Sequence, residues 1–254
     1  MSEAKAKPAP RPFPGDLALE IVLVRHAQPD WEPDDRAVDN PGLTPLGHAQ
    51  ADCIAQELKG EHFDAVYLSP LRRVVETAAP YLEASGHRGN VRDWLRETEL
   101  PSLEGQTRAQ VEDYFGRANA REFAEWWDGP PGGERFRHFY ARVSGGIETL
   151  LGDGHAAGIH EEAGQRLWKI PEETQRIAIF AHEGTNAVVV SHLLGVEPVP
   201  WTHLRFSTSW AGITRLHTAR VGSRSVWSLE AFNRVSHLDS LQGSAPGLGR
   251  SGSY

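Results

Sequence analysis

LEIVLVRHAQPDW, residues 19–31, changes character in its middle. Five of its first six residues are apolar and three of those are β-branched, the pattern of a strand buried on both faces. Arg25 and His26 follow at once, and from Pro29 to Gly42 the chain is a loop rich in Pro, Asp and Asn. A buried strand that runs straight into charged residues marks the carboxyl edge of a parallel sheet, where open α/β sheets bind ligands.

Outward from there, strand and helix patterns alternate. Thr44 is a plausible N-cap for a helix to about residue 58, with Leu46, Ala49, Cys53, Ile54 and Leu58 near helical spacing. Residues 64–68 (DAVYL) form a second strand, and Ser69-Pro70 opens a helix to about residue 84 with Pro70 at its first position. Residues 91–94 make a short third strand. Two helices, 107–127 and 134–151, are split by the breaker Gly129-Pro130-Pro131-Gly132-Gly133, and 152–171 read as irregular. Residues 176–181 (RIAIFA) are a fourth strand running into His182, followed by a helix over 185–194. Residues 211–218 and 225–232 pair as a hairpin around Gly222-Ser223. The expected fold is α/β: a three-layer sandwich with a mostly parallel central sheet flanked by helices, antiparallel edge strands from the hairpin, and a helical insertion at about 100–170 over the strand carboxyl ends. One domain at 17–238 is expected, between a disordered tail at 1–16 and a flexible one at 239–254.

Composition narrows the function. The chain has 254 residues, 39% of them hydrophobic. No apolar run approaches the roughly 20 residues that span a bilayer, and the first 16 lack the apolar core of a secretory signal. The single cysteine, Cys53, excludes an intrachain disulfide and a Cys-based zinc site, and a cytoplasmic location is expected. Net charge is −8, from 26 Lys plus Arg against 34 Asp plus Glu, which argues against non-specific nucleic-acid binding. Only four of those cations are Lys, and Arg suits bidentate recognition of phosphate and carboxylate.

Three strand ends carry the chemistry. The first ends in Arg25-His26, the second in Ser69 with Arg72 and Arg73 close behind, the fourth in His182-Glu183. If these strands are parallel neighbours, two His, at least two Arg and nearby carboxylates converge. Such donors fit phosphate: forked guanidinium groups match its oxygens. A neutral imidazole can attack phosphorus, cations neutralise the transferring group, and a carboxylic acid can protonate the leaving oxygen.

Six segments, in order, resemble the histidine phosphatase superfamily, also called phosphoglycerate-mutase-like. LVRHAQPDW resembles its RHG signature, with Ala27 in place of Gly. GLTPLGHAQA (42–51), SPLRRVVETA (69–78), LRETELPSLEG (95–105), PGGERF (131–136) and FAHEGT (180–185) resemble its further motifs. The resemblance covers about residues 19–216. It implies that His26 is the nucleophile, that Arg25, Arg73 and His182 hold the phosphoryl oxygens, and that Glu97 is the acid and then the base. Arg72 falls outside the motif and reads as a solvated residue or a carboxylate partner. Glu183 stands where this branch has Gly, and is the alternative acid by analogy with the acid-phosphatase branch. Glu99 ranks third. Gln28 and Glu183 are expected at the substrate, with Trp31 at the pocket mouth. Glu32 stands where many members have a phosphate-contacting Asn, and reads here as a solvated loop carboxylate. Trp126, Trp127 and Trp168 lie in the insertion that covers the site in relatives, where aromatics are more often core. His155, His160, Glu161 and Glu162 look superficially like metal ligands but fit a mobile loop better.

The expected function is hydrolysis of phosphomonoesters through a phosphohistidine, with no metal and no cofactor, on a small phosphorylated substrate. The alternatives are a phosphoglycerate-mutase-type phosphotransferase and a weakly active scaffold on the same fold. The dedicated mutases carry a basic stretch after the acid; TELPSLEG (98–105) has no base. Nothing specifies an oligomer, although edge strands of the hairpin can pair between subunits.

Overall fold

The protein is described here by a computed structural model covering residues 18–241. The expected tails lie outside those residues, except 239–241, which finish a 3-10 helix at Ser236–Leu241.

Eight strands form one sheet. They are β1 (Leu19–Arg25), β2 (Ala65–Leu68), β3 (Gly89–Val91), β4 (Ile159–Glu162), β5 (Gln165–Trp168), β6 (Gln175–Ala181), β7 (Ile213–Val221) and β8 (Arg224–Arg234). Their order is β3-β2-β6-β1-β7-β8-β5-β4. β3, β2, β6 and β1 pair in parallel. From β1 outward to β7, β8, β5 and β4 every pairing is antiparallel. The sheet is therefore mixed, not mostly parallel: three pairings run parallel and four antiparallel. The surplus comes from β4 and β5, a hairpin inside the stretch read as irregular. Its residues IHEE and QRLW are largely polar and exposed, so no apolar run marks them.

The helices are α1 (Pro45–Glu57), α2 (Arg72–Ser85), α3 (Arg108–Asn119), α4 (Phe136–Thr149), α5 (Glu183–Leu193) and the short α6 (Thr202–Arg205). Alternate residues of the central strands enter two separate cores. Leu19, Ile21 and Leu23 of β1 pack with Ile177 and Ile179 of β6, with Val143 and Ile147 of α4, and with Val189 of α5. Val22 and Val24 pack with Ala178 and Phe180, with Ile54 of α1, and with Val74 and Ala78 of α2. That alternation follows from the two-residue period of a strand, and it explains why all seven residues of β1 are buried.

Local signals account for most boundaries. The Thr44 hydroxyl caps α1 by accepting from the Gly47 N–H at 3.0 Å. α2 begins at Arg72 with Leu71 as N-cap, so Pro70 precedes the helix instead of opening it. α3 stops at Asn119, and residues Phe123–Asp128 form a separate 3-10 helix. α4, expected in the insertion over the strand ends, is a layer helix packed on the sheet. α3 does lie at the carboxyl side: its first residue, Arg108, pairs with Glu32 just beyond β1 at 2.7 Å. No helix among the described residues is long and apolar enough to cross a membrane.

At the opposite edge the sheet carries a buried ion cluster. Glu20 of β1 accepts from Arg176 of β6 at 2.6 Å and from Arg215 of β7 at 2.8 Å. Glu61, in the turn after α1, bridges the same two arginines at 2.6 Å each.

Candidate active site

Parallel pairing brings three strand ends to one place. Arg25 lies opposite Ala181 in the β1–β6 register, and the His26 N–H donates to the Ala181 carbonyl at 3.0 Å. His182 follows Ala181 and is the N-cap of α5. The Ser69 N–H, just past β2, donates to the Phe180 carbonyl at 3.1 Å. The imidazoles of His26 and His182 thus meet edge-on, with ring centroids 5.2 Å apart.

His26 is buried, with Nδ1 2.8 Å from the Ala27 carbonyl. A carbonyl only accepts, so Nδ1 carries the proton and Nε2 presents its lone pair. Burial holds the pKa of His26 well below its usual 6.5, and the positive fields of Arg73 and Arg25 push the same way. The ring is neutral at physiological pH, the state a nucleophile requires. His182 is lowered for the same first reason, burial, reinforced by Arg73, His26 and Arg25. Its Nε2 lies 2.8 Å from the Ser69 hydroxyl. When that hydroxyl donates, Nδ1 carries the remaining proton and is a donor for an anion.

Arg73 is buried on the first turn of α2. Its guanidinium lies 4.9 Å from the Trp31 ring centroid. Burial lowers its pKa to about 10 against the pull of Glu97, so it stays charged at neutral pH. Among the described residues, Arg73 Nε and Nη1, Arg25 Nε and His182 Nδ1 are buried side-chain atoms without a hydrogen-bond partner. Buried donors are normally paired. Four unpaired ones around a neutral imidazole make a cradle whose complement is an anion with several acceptor oxygens.

The two candidate acids are placed differently. Glu97 sits in the irregular segment after a 3-10 turn at Asp93–Leu95. Its carboxylate accepts from the Gly184 N–H at 2.8 Å and the Thr98 N–H at 3.0 Å, and its field reaches both Arg25 and Arg73. A Cβ at position 184 would lie 2.5 Å from Glu97 Oε1, so Gly184 allows this approach. Glu183 instead pairs with Arg25 at 3.0 Å and accepts from the Ser207 hydroxyl and the Thr208 N–H. Arg25 also donates to the Thr208 carbonyl. Glu183 is thereby committed to fixing Arg25.

Other expected positions resolve plainly. The Gln28 side-chain amide oxygen accepts from the Thr44 hydroxyl at 2.7 Å, tying the loop after β1 to α1. Arg72 pairs with Glu76 at 2.6 Å. Glu99 pairs with Arg96 at the surface. Glu32 is not solvated: its side chain is 8% exposed and held by Arg108. Trp168 belongs to β5 and packs on Trp227, away from this edge. Trp127 packs on Phe136. Cys53 is half-buried against the α1–α2 core. His155 is not in a mobile loop but buried between Tyr67 and Gln175, and His160 lies on β4 near Glu162. Among the described residues no three His, Cys, Asp or Glu side chains are grouped to hold a metal.

Sequence reading missed Thr77, whose hydroxyl accepts from the Ala27 N–H at 2.9 Å and donates to the Arg73 carbonyl at 2.6 Å. It joins the loop bearing His26 to the helix bearing Arg73. Its only signal is its place in SPLRRVVETA. Thr208 was missed because it acts through its backbone, which any residue supplies.

A mixed α/β sheet with a buried His/Arg anion cradle at the carboxyl edge of its parallel strands defines a class of phosphate-handling proteins. The chain belongs to the histidine phosphatase superfamily (branch 1), whose sequence model matches residues 21–229. It is 28% identical over 186 residues to phosphoserine phosphatase 1 of Hydrogenobacter thermophilus, 70% of this chain and 78% of that protein. It is 34% identical over 135 residues to the 2,3-bisphosphoglycerate-dependent phosphoglycerate mutase of Brucella ovis, 50% of this chain and 66% of the mutase. The structure of a mycobacterial glucosyl-3-phosphoglycerate phosphatase superposes with a TM-score of 0.63 at 26% identity, covering 85% of this chain and 99% of that one.

Proposed function

We propose that this chain is a phosphomonoester hydrolase that works through a phosphohistidine on His26. The observation that carries the reading is the state of His26: neutral, its Nδ1–H fixed on Ala27, its Nε2 free beside Arg25, Arg73 and His182. Nε2 attacks phosphorus and the bond to the ester oxygen breaks. Glu97, entering as the acid, gives that oxygen its proton, and the alcohol leaves. Glu97 then takes a proton from water, whose oxygen attacks phosphorus; the P–N bond breaks and phosphate departs. Arg25 and Arg73 neutralise the phosphoryl oxygens through both steps, and His182 Nδ1–H donates a hydrogen bond to them. Glu183 and Gln28 serve the substrate site by holding Arg25 and the loop after β1.

The substrate class is a small phosphorylated metabolite, as the names of the phosphatase relatives support. A single cytoplasmic domain at 17–238, needing no cofactor, belongs to the same reading. The mutase alternative draws on the Brucella ovis relative. Against it, residues 98–105 carry Glu99 and Glu104 and no cation to hold a second anionic group.

The test is phosphate release from a panel of phosphomonoesters in excess EDTA, wild type beside His26→Ala. Wild type releases phosphate, and the variant is slower by roughly 10⁴-fold or more while keeping its circular dichroism. Wild-type rates in the variant would reject the mechanism. Phosphoglycerate isomerisation without net phosphate release would select the mutase.

A further inference from the structure

Behind Glu97 stands a side chain that no motif singles out. Arg142, midway along α4, is four-fifths buried. Its Nη1 donates to the carbonyls of Trp94 and Arg96, each at 3.0 Å, and its Nη2 to the carbonyl of Glu97 at 3.3 Å. The guanidinium is itself fixed by Glu134, through Nε at 3.2 Å and Nη2 at 2.7 Å. Glu134 belongs to the same clamp: its N–H donates to the Glu99 carbonyl at 2.8 Å, and its carboxylate accepts from the Glu99 N–H at 3.3 Å. From the opposite side, α5 holds the same segment, with the Thr185 hydroxyl on the Arg96 carbonyl at 3.0 Å and the Gly184 N–H on the Glu97 carboxylate at 2.8 Å.

Residues 94–97 form no α-helix or strand beyond the 3-10 turn that ends at Leu95, so little ladder hydrogen bonding fixes Glu97. Three of their carbonyls converge on one cation. We infer that Arg142 is a positioning residue for Glu97, holding its backbone so that the carboxyl group faces the leaving oxygen. This rests on the phosphohistidine reading and on Glu97 as its acid. A planar fork with five N–H groups can grip three carbonyls and a carboxylate together; a lysine ammonium has three donors and no fork. The field of Arg142 also reaches His182, so the residue borders the reacting groups and is not a remote strut.

A positioning role differs from a structural one in its dependence on the leaving group. p-Nitrophenolate leaves without protonation, whereas an alkoxide does not. The experiment measures kcat and KM on p-nitrophenyl phosphate and on an alkyl phosphate for wild type, His26→Ala, Glu97→Gln, Arg142→Lys, Arg142→Gln and the Glu97→Gln/Arg142→Gln double variant. Loss of aim lowers kcat/KM, which covers only the steps up to formation of the phosphohistidine, about 10- to 100-fold on the alkyl ester in both Arg142 variants, part of the roughly 10²- to 10⁴-fold that a general acid supplies, and less than about threefold on the nitrophenyl ester; kcat falls on both esters wherever the later role of Glu97 as base limits turnover. The double variant is no slower than Glu97→Gln alone, because both changes remove one function. Should the Arg142 variants fail to fold, Glu134→Gln loosens the same guanidinium and shows the same ester selectivity, smaller in size.

Equal losses of kcat/KM on both esters, or losses of kcat/KM that multiply in the double variant, overturn the inference and leave Arg142 a packing residue. Unchanged kcat/KM on both esters overturns it as well. If Glu97→Gln shows no ester selectivity while His26→Ala is inactive, the acid is misassigned and the Arg142 inference falls alone. If His26→Ala is active, the functional reading falls and takes the inference with it.

Discussion

All seven residues of β1 are buried, whereas β8, two strands away in the same sheet, never buries two neighbours in succession. In the parallel half, β3-β2-β6-β1, the inner strands β2, β6 and β1 are largely buried while the edge strand β3 is exposed, and all four point their ends the same way. Arg25, Ser69 and His182 therefore arrive together. The antiparallel half, β7-β8-β5-β4, turns back on itself through hairpins, so its chain reversals fall at both edges and none gathers side chains. Its contribution to the cradle is indirect: Thr208, in the loop before β7, fixes Arg25. In a mixed sheet, chemistry accumulates where successive strands agree in direction.

The division can be broken experimentally. Trp168→Ala removes a side chain that is 1% exposed on β5 and stacked edge-on against Trp227 of β8, with ring centroids 6.0 Å apart. Loss of that packing lowers unfolding free energy by about 3–5 kcal/mol and leaves kcat/KM within about twofold of wild type. Denaturant titration beside kinetics measures both, and a parallel fall in kcat/KM would show that the antiparallel half also shapes the site. Gly184→Ala does the reverse. Its methyl collides with Glu97 Oε1 and lowers kcat on alkyl phosphates about tenfold, the equivalent of about 1.4 kcal/mol, while melting temperature stays near wild type.

The smallest effect concerns pH. His26 and His182 have native pKa values held below the unfolded value by burial. Below about pH 6.5 the unfolded chain takes up protons that the native state refuses. The stability they confer is therefore complete above that pH and is lost as pH falls toward the native values. The slope is at most about 1.4 kcal/mol per pH unit per histidine. Denaturant midpoints at pH 7.5, 6.5 and 5.5 read it, and His182→Asn flattens it. His26 keeps its share of the slope in that variant, and His192 and His237, also lowered by burial, add to it.

The same division explains what was legible in the sequence. LEIVLV and RIAIFA announce themselves because a strand covered on both faces is apolar but for charges that find a partner, as Glu20 and Arg176 find each other. IHEE and QRLW do not, since Trp168 is the one buried residue among these eight and a single buried position makes no apolar run. His26, Arg25 and His182 were legible because each closes or follows an apolar run; the run before Ser69 pointed to Arg72 and Arg73 alike, and only the family resemblance chose Arg73. Glu97 lies in an irregular segment and was found only through the family resemblance. Arg142 is one arginine among many, on a helix whose pattern reports only an apolar face. Its partners are carbonyls, which carry no sequence signal.

The ion cluster at the far edge has a consequence for aim. Glu20 and Arg176 are direct partners in the β1–β6 register, and Arg215 binds Glu20 from β7. The smallest slip that keeps each residue on its own face is two residues, which moves a parallel strand about 6.6 Å along its neighbour. Such a slip would separate buried opposite charges, a change of several kcal/mol. It would also carry His182 past His26 by more than the 5.2 Å that separates their rings. The cluster works as an alignment pin: charges at one rim of the sheet set the spacing of the histidines at the other.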